Sequence, residues 1–289
     1  MKKPTNQVHY SYADDLGGLE LLDAQFNDHT FSRHVHEGYC INIIESGAQR
    51  FYRSGANHVA SQNSIVLVNA DQVHDGHKAA ENGWSYRAMY PTPDLLGDVS
   101  LELDGAKSDA PWFSQAVVCD AFMANKLREL FTLLNQSSNL LERETFYLST
   151  MLQLISRHAK QTKPLLKLAS EPRVVKYMRE FLDEHYVENI SMQSLASSAE
   201  LSPFYLARLF NKEVGLPPHA YQVQRRIQKA KQLLRSHQGN KLSDVATDCG
   251  FSDQSHLNRH FKRALGVTPG AYQRSCENMR KRFMSNFVQ

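Results

Sequence analysis

No stretch of this 289-residue chain approaches the roughly twenty consecutive apolar residues that a membrane-spanning helix needs. The opening Met1-Lys2-Lys3-Pro4 is basic, but Thr5-Asn6-Gln7 follows it where a secretory leader would place an apolar core. Cysteine is scarce as well. Cys40, Cys119, Cys249 and Cys276 make neither a C-x-x-C pair nor a zinc-finger spacing, which excludes a disulfide framework and a zinc module. They read as small apolar residues in a reducing compartment. Together these absences predict a cytoplasmic protein. A large charge of either sign is also missing, since the formal net charge is only +3. That balance conceals an asymmetry: residues 173–289 hold 18 Lys/Arg against 10 Asp/Glu, and residues 1–172 hold 15 against 20. A basic C-terminal part behind an acidic N-terminal part points to nucleic-acid contact confined to one domain.

The length suffices for two domains, each with its own core. Residues from about 20 to 105 carry short strand signals. Asn42–Gly47 runs into a turn, Gln49–Arg53 resumes before Ser54-Gly55, and Ser64–Asn69 and Trp84–Tyr90 are apolar runs, the last closed by Pro91 and Pro93. Regular spacing of such segments predicts a small barrel or sandwich. Helical periodicity appears at Ala121 to about Leu134 and again at Thr145–Ala159. This predicts a helix pair within about 113–160 that packs on the barrel or supplies a dimer face. Residues 1–20, polar and poorly patterned, read as an arm. A linker is expected at 161–172, an all-helical domain at 173–278 and a tail at 279–289.

The helical part contains one unit twice. Leu195-Ala196, Leu201-Ser202, Leu206, Arg208, Phe210, Gly215, Pro218 and Tyr221 recur as Val245-Ala246, Phe251-Ser252, Leu257, Arg259, Phe261, Gly266, Pro269 and Tyr272. The offset is 50 residues up to the serines and 51 afterwards, so the second copy carries one extra residue near the start of its second helix. Each copy has helix-turn-helix spacing, at about 191–214 and 242–265. Ala196 and Ala246 allow the close helix crossing, and Leu201 and Phe251 plug the turn. Ser202, Ser243 and Ser252 are expected as helix caps. Phe204, Ala207, Arg208 and Lys212 face outward from the first copy; Gln254, Ser255, Asn258, Arg259, Lys262 and Arg263 do so from the second. Arg can bridge guanine O6 and N7, and Asn or Gln can bridge adenine N6 and N7, while Lys212, Lys262 and Arg263 suit phosphates.

The run from Val245 through Phe251-Ser252 to His260-Phe261-Lys262-Arg263-Ala264-Leu265-Gly266-Val267-Thr268-Pro269-Gly270-Ala271-Tyr272 resembles the signature of the AraC/XylS family of transcription regulators. The resemblance covers about the last hundred residues. It implies two helix-turn-helix units, joined by a long helix, that place their recognition helices in successive major grooves. Arg208, Phe204 and Ala207 would then read one half-site, and Gln254, Ser255, Asn258 and Arg259 the other. The implied partners are double-stranded DNA, RNA polymerase and a small-molecule effector, with a homodimer as assembly, no membrane, and activation as the regulatory sign.

His34-Val35-His36-Glu37, with His74 further on, resembles the cupin-like sensor domains that precede this DNA-binding module. Three histidines on neighbouring strands could form a metal triad. The glutamate that metal cupins carry after the second histidine is absent, since Cys40 and Ile41 stand there. The reading adopted is a metal-free, non-enzymatic pocket without a cofactor, lined by His34, His36, Tyr39, His74, Trp84, Tyr86, Arg87 and Tyr90, with Arg87 suiting an anionic metabolite. Histidines that merely satisfy strand-end carbonyls, a metal-dependent cupin enzyme with an appended DNA-binding domain using His34, His36 and His74, or a ligand-independent DNA-binding regulator are the alternatives. The fold class expected is therefore α+β multidomain, with an N-terminal cupin-like β-barrel and helix pair ahead of a C-terminal all-α domain.

Overall fold

The computed structural model describes residues 6–104, 110–160, 172–197, 199, 201–236 and 241–286, with the side chains of 101–104, 204 and 278–286 excepted. Apart from Pro172 the expected linker lies outside them, as do the last three residues of the expected tail. The chain divides into two compact units, one formed mainly by residues before 165 and the other largely by Leu165–Arg274.

Strands β1 (Gln7–Ala13), β2 (Leu19–Phe26), β3 (Thr30–His34), β4 (Cys40–Arg53), β5 (Ala56–Ser61), β6 (Ile65–Val68), β7 (His74–Lys78) and β8 (Trp84–Tyr90) come first. Helix α1 (Pro93–Asp104), short strands β9 (Trp112–Phe113) and β10 (Val117–Val118), helices α2 (Ala121–Gln136) and α3 (Leu140–His158) and strand β11 (Ala159–Lys160) follow. Nine strands form one sheet in the order β1-β2-β8-β4-β6-β10, with β5 and β7 also on β4 and β3 on β7. The ladder does not close among the described residues, which corrects the expected barrel. The physical reason lies in β4. Its first half pairs with β6 and β8 and its second half with β5 and β7, and a bulge between Ile44 and Ser46 carries the strand through the expected turn. The expected arm is corrected too, because β1 pairs with β2 from Gln7↔Gln25 to Ala13↔Leu19 and buries Tyr10, Ser11, Tyr12 and Ala13.

Register divides the sheet into two faces. Leu21, Met89, Ile41 and Leu67 lie in one cross-strand row, and this row packs against Met123, Leu127, Leu130 and Phe131 of α2 and Met151 and Leu154 of α3. Helices α2 and α3 therefore cover the sheet. Caps set their starts, for Asp120 accepts from Met123 N at 3.1 Å and Asn139 from Glu142 N at 3.1 Å. The second cap starts α3 five residues before its expected start at Thr145, a turn hidden in the sequence because Leu140 and Leu141 remain exposed. Helix α1 was not expected at all. Pro93 opens it, a placement that spares a hydrogen bond, whereas in the sequence that proline reads as closing β8.

The second unit contains α4 (Arg173–Glu184), α5 (Met192–Ser197), α6 (Pro203–Val214), α7 (Pro218–Ser236), α8 (Leu242–Asp248) and α9 (Gln254–Leu265), with α10 (Pro269–Asn286) beginning within it. Val175, Met178 and Leu182 of α4 share a core with Leu195, Ala196, Leu206, Phe210 and Tyr221. Long α7 touches α4 and α6 on one side of the repeat and α8 and α9 on the other. Among the described residues no helix is long and apolar enough to cross a membrane.

Candidate functional site

The two helix-turn-helix units are built alike down to single hydrogen bonds. Ala196 and Ala246 are fully buried at the helix crossings. Leu201 N donates to Ala196 O at 3.1 Å, and Phe251 N donates to Ala246 O at 2.8 Å, so both turns close on the same small residue. Leu206 and Phe210 in one copy, and Leu257 and Phe261 in the other, are buried at i, i+4 spacing, which turns the opposite side of each second helix outward. Gly215 and Gly266 end α6 and α9 in the left-handed conformation.

Helix caps locate the extra residue of the second copy. Ser202 caps α6 by accepting from Tyr205 N at 3.2 Å. Helix α9 is capped by Asp253 instead, which accepts from His256 N at 2.7 Å, while the Ser252 hydroxyl donates to Asp253. The expectation for Ser252 is thus corrected, because the inserted Asp253 has taken over its place. That for Ser243 is corrected as well, since α8 starts from Lys241 without a side-chain cap. The amide of His256 and the Ser252 hydroxyl hold the Asp253 carboxyl below its ordinary value.

The outward residues stand as follows. Arg208 and Lys212 on α6 are exposed, Ala207 is half-buried, and the Phe204 side chain lies outside the described residues. Arg208 stacks over the exposed Tyr205 ring at 5.8 Å. On α9, Gln254, Ser255, Arg259, Lys262 and Arg263 are exposed. Asn258 is half-buried, and its buried Oδ1 has no hydrogen-bond partner among the described residues. Desolvation lowers the His260 pKa, and the nearby His256, His219, Arg259 and Arg263 add to the effect. Each recognition helix thus offers an arginine and further cations to an approaching polyanion.

In the sheet, Trp84, Tyr86 and Tyr90 alternate onto the face opposite the helices. Register aligns Tyr86 with Ala24 and Ile44, and Tyr90 with Glu20. Tyr10, Leu22, Ala88, Asn42 and Val66 make the neighbouring row. Burial raises the Tyr10, Tyr86 and Tyr90 phenols and pushes the Cys40 thiol up to about 12, so these four groups are neutral on a face that also carries the Glu20 carboxyl. Asn42 Oδ1 is buried there and has no hydrogen-bond partner among the described residues. Tyr10, Glu20 and Asn42 were missed by sequence reasoning. Tyr10 and Glu20 sit in the stretch taken for an arm, and the face on which Asn42 lies is settled only by pairing.

Tyr39 and Arg87 are not brought into that set. Tyr39 packs in the helix-side core and donates to Pro111 O at 2.6 Å. Arg87 alternates away from Tyr86 and pairs with Glu45, which Arg128 of α2 also binds at 2.8 Å. The basis for an anionic ligand on the inner face is therefore gone. His34, His36 and His74 do come together, with one potential ligand atom from each within 4.8 Å of the others. His58 and His77 stay apart from them, His58 against Arg53 O and His77 against Asp75.

A sheet domain joined to two matched DNA-reading units describes a regulator of transcription, and known proteins agree. Residues 16–150 match the AraC-like ligand binding domain, and residues 195–275 match a helix-turn-helix domain. The HTH-type transcriptional regulator YbfI of Bacillus subtilis (strain 168) is 32 % identical over 227 residues, covering 78 % of this chain and 81 % of its own. The HTH-type transcriptional activator RhaS of Shigella sonnei is 26 % identical over 254 residues, covering 83 % and 86 %. The chain belongs to the AraC/XylS family of transcription regulators, with an N-terminal ligand-binding domain and a C-terminal helix-turn-helix DNA-binding domain. The fold is also that of ToxT from Vibrio cholerae. An apo form has a TM-score of 0.57 at 13 % identity, covering 94 % of this chain and 97 % of ToxT, and a form bound to an unsaturated fatty acid has 0.54 at 14 %, covering 94 % and 96 %.

Proposed function

We propose that the chain reads an asymmetric DNA site with α6 and α9, and that a small polar effector on the inner face of its sheet controls that binding. The carrying observation is the paired construction of the two units, with Arg208 and Arg259 exposed at equivalent positions of helices that both pack on α7. Arg208, with Phe204 and Ala207, reads one half-site. Gln254, Ser255, Asn258 and Arg259 read the other, and Lys212, Lys262 and Arg263 hold phosphates.

The effector reading rests on Asn42 Oδ1. A buried acceptor without a donor is costly, and a ligand hydroxyl or amine would satisfy it among the neutral phenols of Tyr10, Tyr86 and Tyr90. A ligand can switch the protein only by binding one of its arrangements more tightly than another. The exposed Leu141 and Leu148 of α3 support a homodimer face, and the activator among the relatives supports activation through RNA polymerase inside the cell. Selection of bound sequences from a random duplex pool tests the DNA half of the reading, and a thermal-shift screen of metabolites tests the effector half. An asymmetric consensus is expected, together with a metabolite that raises the Tm of the wild type but not of Asn42→Ala. Enrichment of no sequence, or a shift retained in the variant, would overturn the corresponding half.

A further inference from the structure

We propose that the effector of the inner face is a small organic cation, an amine or a quaternary ammonium. This class rests on the effector reading above and deepens it, because the charge on that face has one sign. From β1 through β2 and β8 to the first half of β4, Glu20 is the one Asp, Glu, Lys or Arg that alternates onto it. Arg87 stands on the other face and pairs with Glu45. Arg53, at the far end of β4, is occupied by the carbonyls of Leu67, Phe113 and Gln115 and by the Gln72 side chain.

Register sets Glu20 between Tyr12 of β1 and Tyr90 of β8. The Tyr12 hydroxyl donates to Glu20 Oε2 at 3.1 Å and so orients the carboxylate. A carboxylate accepts about four hydrogen bonds, so it can serve a ligand donor beside those of the protein. Its attraction for a cation needs no vacant lone pair either, since Coulomb attraction acts over several ångströms in a partly buried site. Glu20 and Tyr90 are half-buried whereas Asn42 is 5 % exposed, so the carboxylate stands at the accessible end of the face and the amide lies deeper. Leu22 and Ala88 link the two, which places them about 10 Å apart across the strands and about 7 Å along them. An elongated molecule can thus bring a cationic head to Glu20 and a hydroxyl or N–H to Asn42 Oδ1, which has no hydrogen-bond partner among the described residues. Tyr10 shares the Asn42 row and Tyr86 stands in the next one, and a phenol ring attracts a cation through its negative face.

Other ligand classes answer this face less completely. A carboxylate or phosphate would meet Glu20 with like charge, and these strand segments bring no lysine or arginine to it. A neutral polyol would satisfy Asn42 but forgo the ion-pair attraction that an ammonium gains from Glu20. A purely apolar ligand would leave Asn42 Oδ1 buried without a donor, which is costly.

Thermal-shift titration of the full-length protein with charge-matched probes tests this. Putrescine is run beside butanediol, tyramine beside its N-acetyl derivative and choline beside its neutral carbon isostere, with succinate and benzoate as anions. At least one of the three cations should raise the wild-type Tm in a saturable way, while its neutral counterpart and the anions leave it unmoved. Glu20→Gln should weaken that cation at least about tenfold, and Glu20→Asp, which restores the charge, should recover part of the loss. Should Glu20→Gln fail to fold, the wild-type preference for each cation over its neutral counterpart decides the matter. A cation shift retained in Glu20→Gln, or silence from all three cations, would overturn the proposal. A neutral or anionic metabolite that raises the Tm of the wild type but not of Asn42→Ala would overturn the cation and keep the effector reading. Silence from every metabolite would overturn both.

Discussion

Gly250, in the turn of the second helix-turn-helix unit, lies directly against Val187, in the loop ahead of the first. A Cβ on Gly250 would fall 2.4 Å from Val187 O and 2.7 Å from Val187 Cα, and the glycine adopts φ +77°. The same loop is held by α7, since Arg226 donates to Tyr186 O at 2.6 Å and to Glu188 O at 2.8 Å, and Gln222 donates to Glu188 O at 2.9 Å. The two DNA-reading units are therefore joined by backbone contact as well as by the connecting helix.

Gly250→Ala should accordingly cost more than a surface substitution. The left-handed backbone alone accounts for about 1–3 kcal/mol, and the overlap with Val187 adds to it. The urea midpoint should fall with an unchanged slope. A midpoint equal to the wild type would show that the turn and the loop part freely.

Arg259→Ala and Lys262→Ala should separate base reading from phosphate holding. Both residues are exposed on α9. Loss of Arg259 should cost about 1–3 kcal/mol at one base position and relax preference there. Loss of Lys262 should weaken all sequences alike and reduce the salt slope by about one. Binding to a panel of single-base site variants at several salt concentrations distinguishes the two patterns, and uniform loss for Arg259→Ala would reassign it to the backbone.

What could be read from the residues followed from locality. Helix-turn-helix packing is a matter of i, i+3 and i, i+4 neighbours, so Ala196, Leu206, Phe210 and their repeats announced both units and the outward faces. Even the extra residue was legible as a 50-to-51 offset, although not that Asp253 would displace Ser252 as the cap. The sheet was harder. In Trp84-Ser85-Tyr86-Arg87-Ala88-Met89-Tyr90 alternation separates Arg87 from Tyr86, but with apolar residues on both faces it does not say which face the helices cover. Pairing with β2 and β4 decides it, and a shift of one residue would exchange the faces. The contacts of His34 Nδ1 with Ser32 O at 2.7 Å and of His74 Nδ1 with Gln72 O at 2.9 Å leave no mark in a sequence at all.

Thiol chemistry should be confined to Cys119. It is exposed, whereas Cys40, Cys249 and Cys276 are buried. Burial pushes the Cys249 thiol up to about 12, with Asp248 adding to it, and pushes the Cys40 thiol up to about 12 as well. Burial therefore keeps both as neutral thiols near neutral pH, and the thiolate is the reactive form. Native protein should therefore titrate one thiol rapidly with a disulfide reagent, Cys119→Ser none, and denatured protein all four. Rapid labelling of Cys249 in the native variant would show that the second unit opens readily.

Asp120 should link stability to acid pH through two separable roles. Its carboxylate caps α2 at Met123 N, 3.1 Å away, and meets Arg157 at 2.8 Å and His158 at 2.9 Å. Burial works to raise its pKa, but those three partners outweigh it and the net shift is downward. A depressed carboxylate stabilises the fold above its unfolded-state value, near 3.9, and that contribution fades as pH falls through the lower folded value. Asp120→Asn keeps a capping oxygen and loses the charge, so at pH 7 it should cost about 0.2–1 kcal/mol, Arg157 being half-exposed. Asp120→Ala removes the cap as well and should cost a further 0.5–2 kcal/mol or about that. The gap between wild type and Asp120→Asn should narrow as the pH of the melting experiment is lowered below about 4, while the gap between the two variants, which carries no charge, should stay constant. A wild-type advantage that persists undiminished at low pH would mean that the carboxylate charge takes no part in holding α2 to α3.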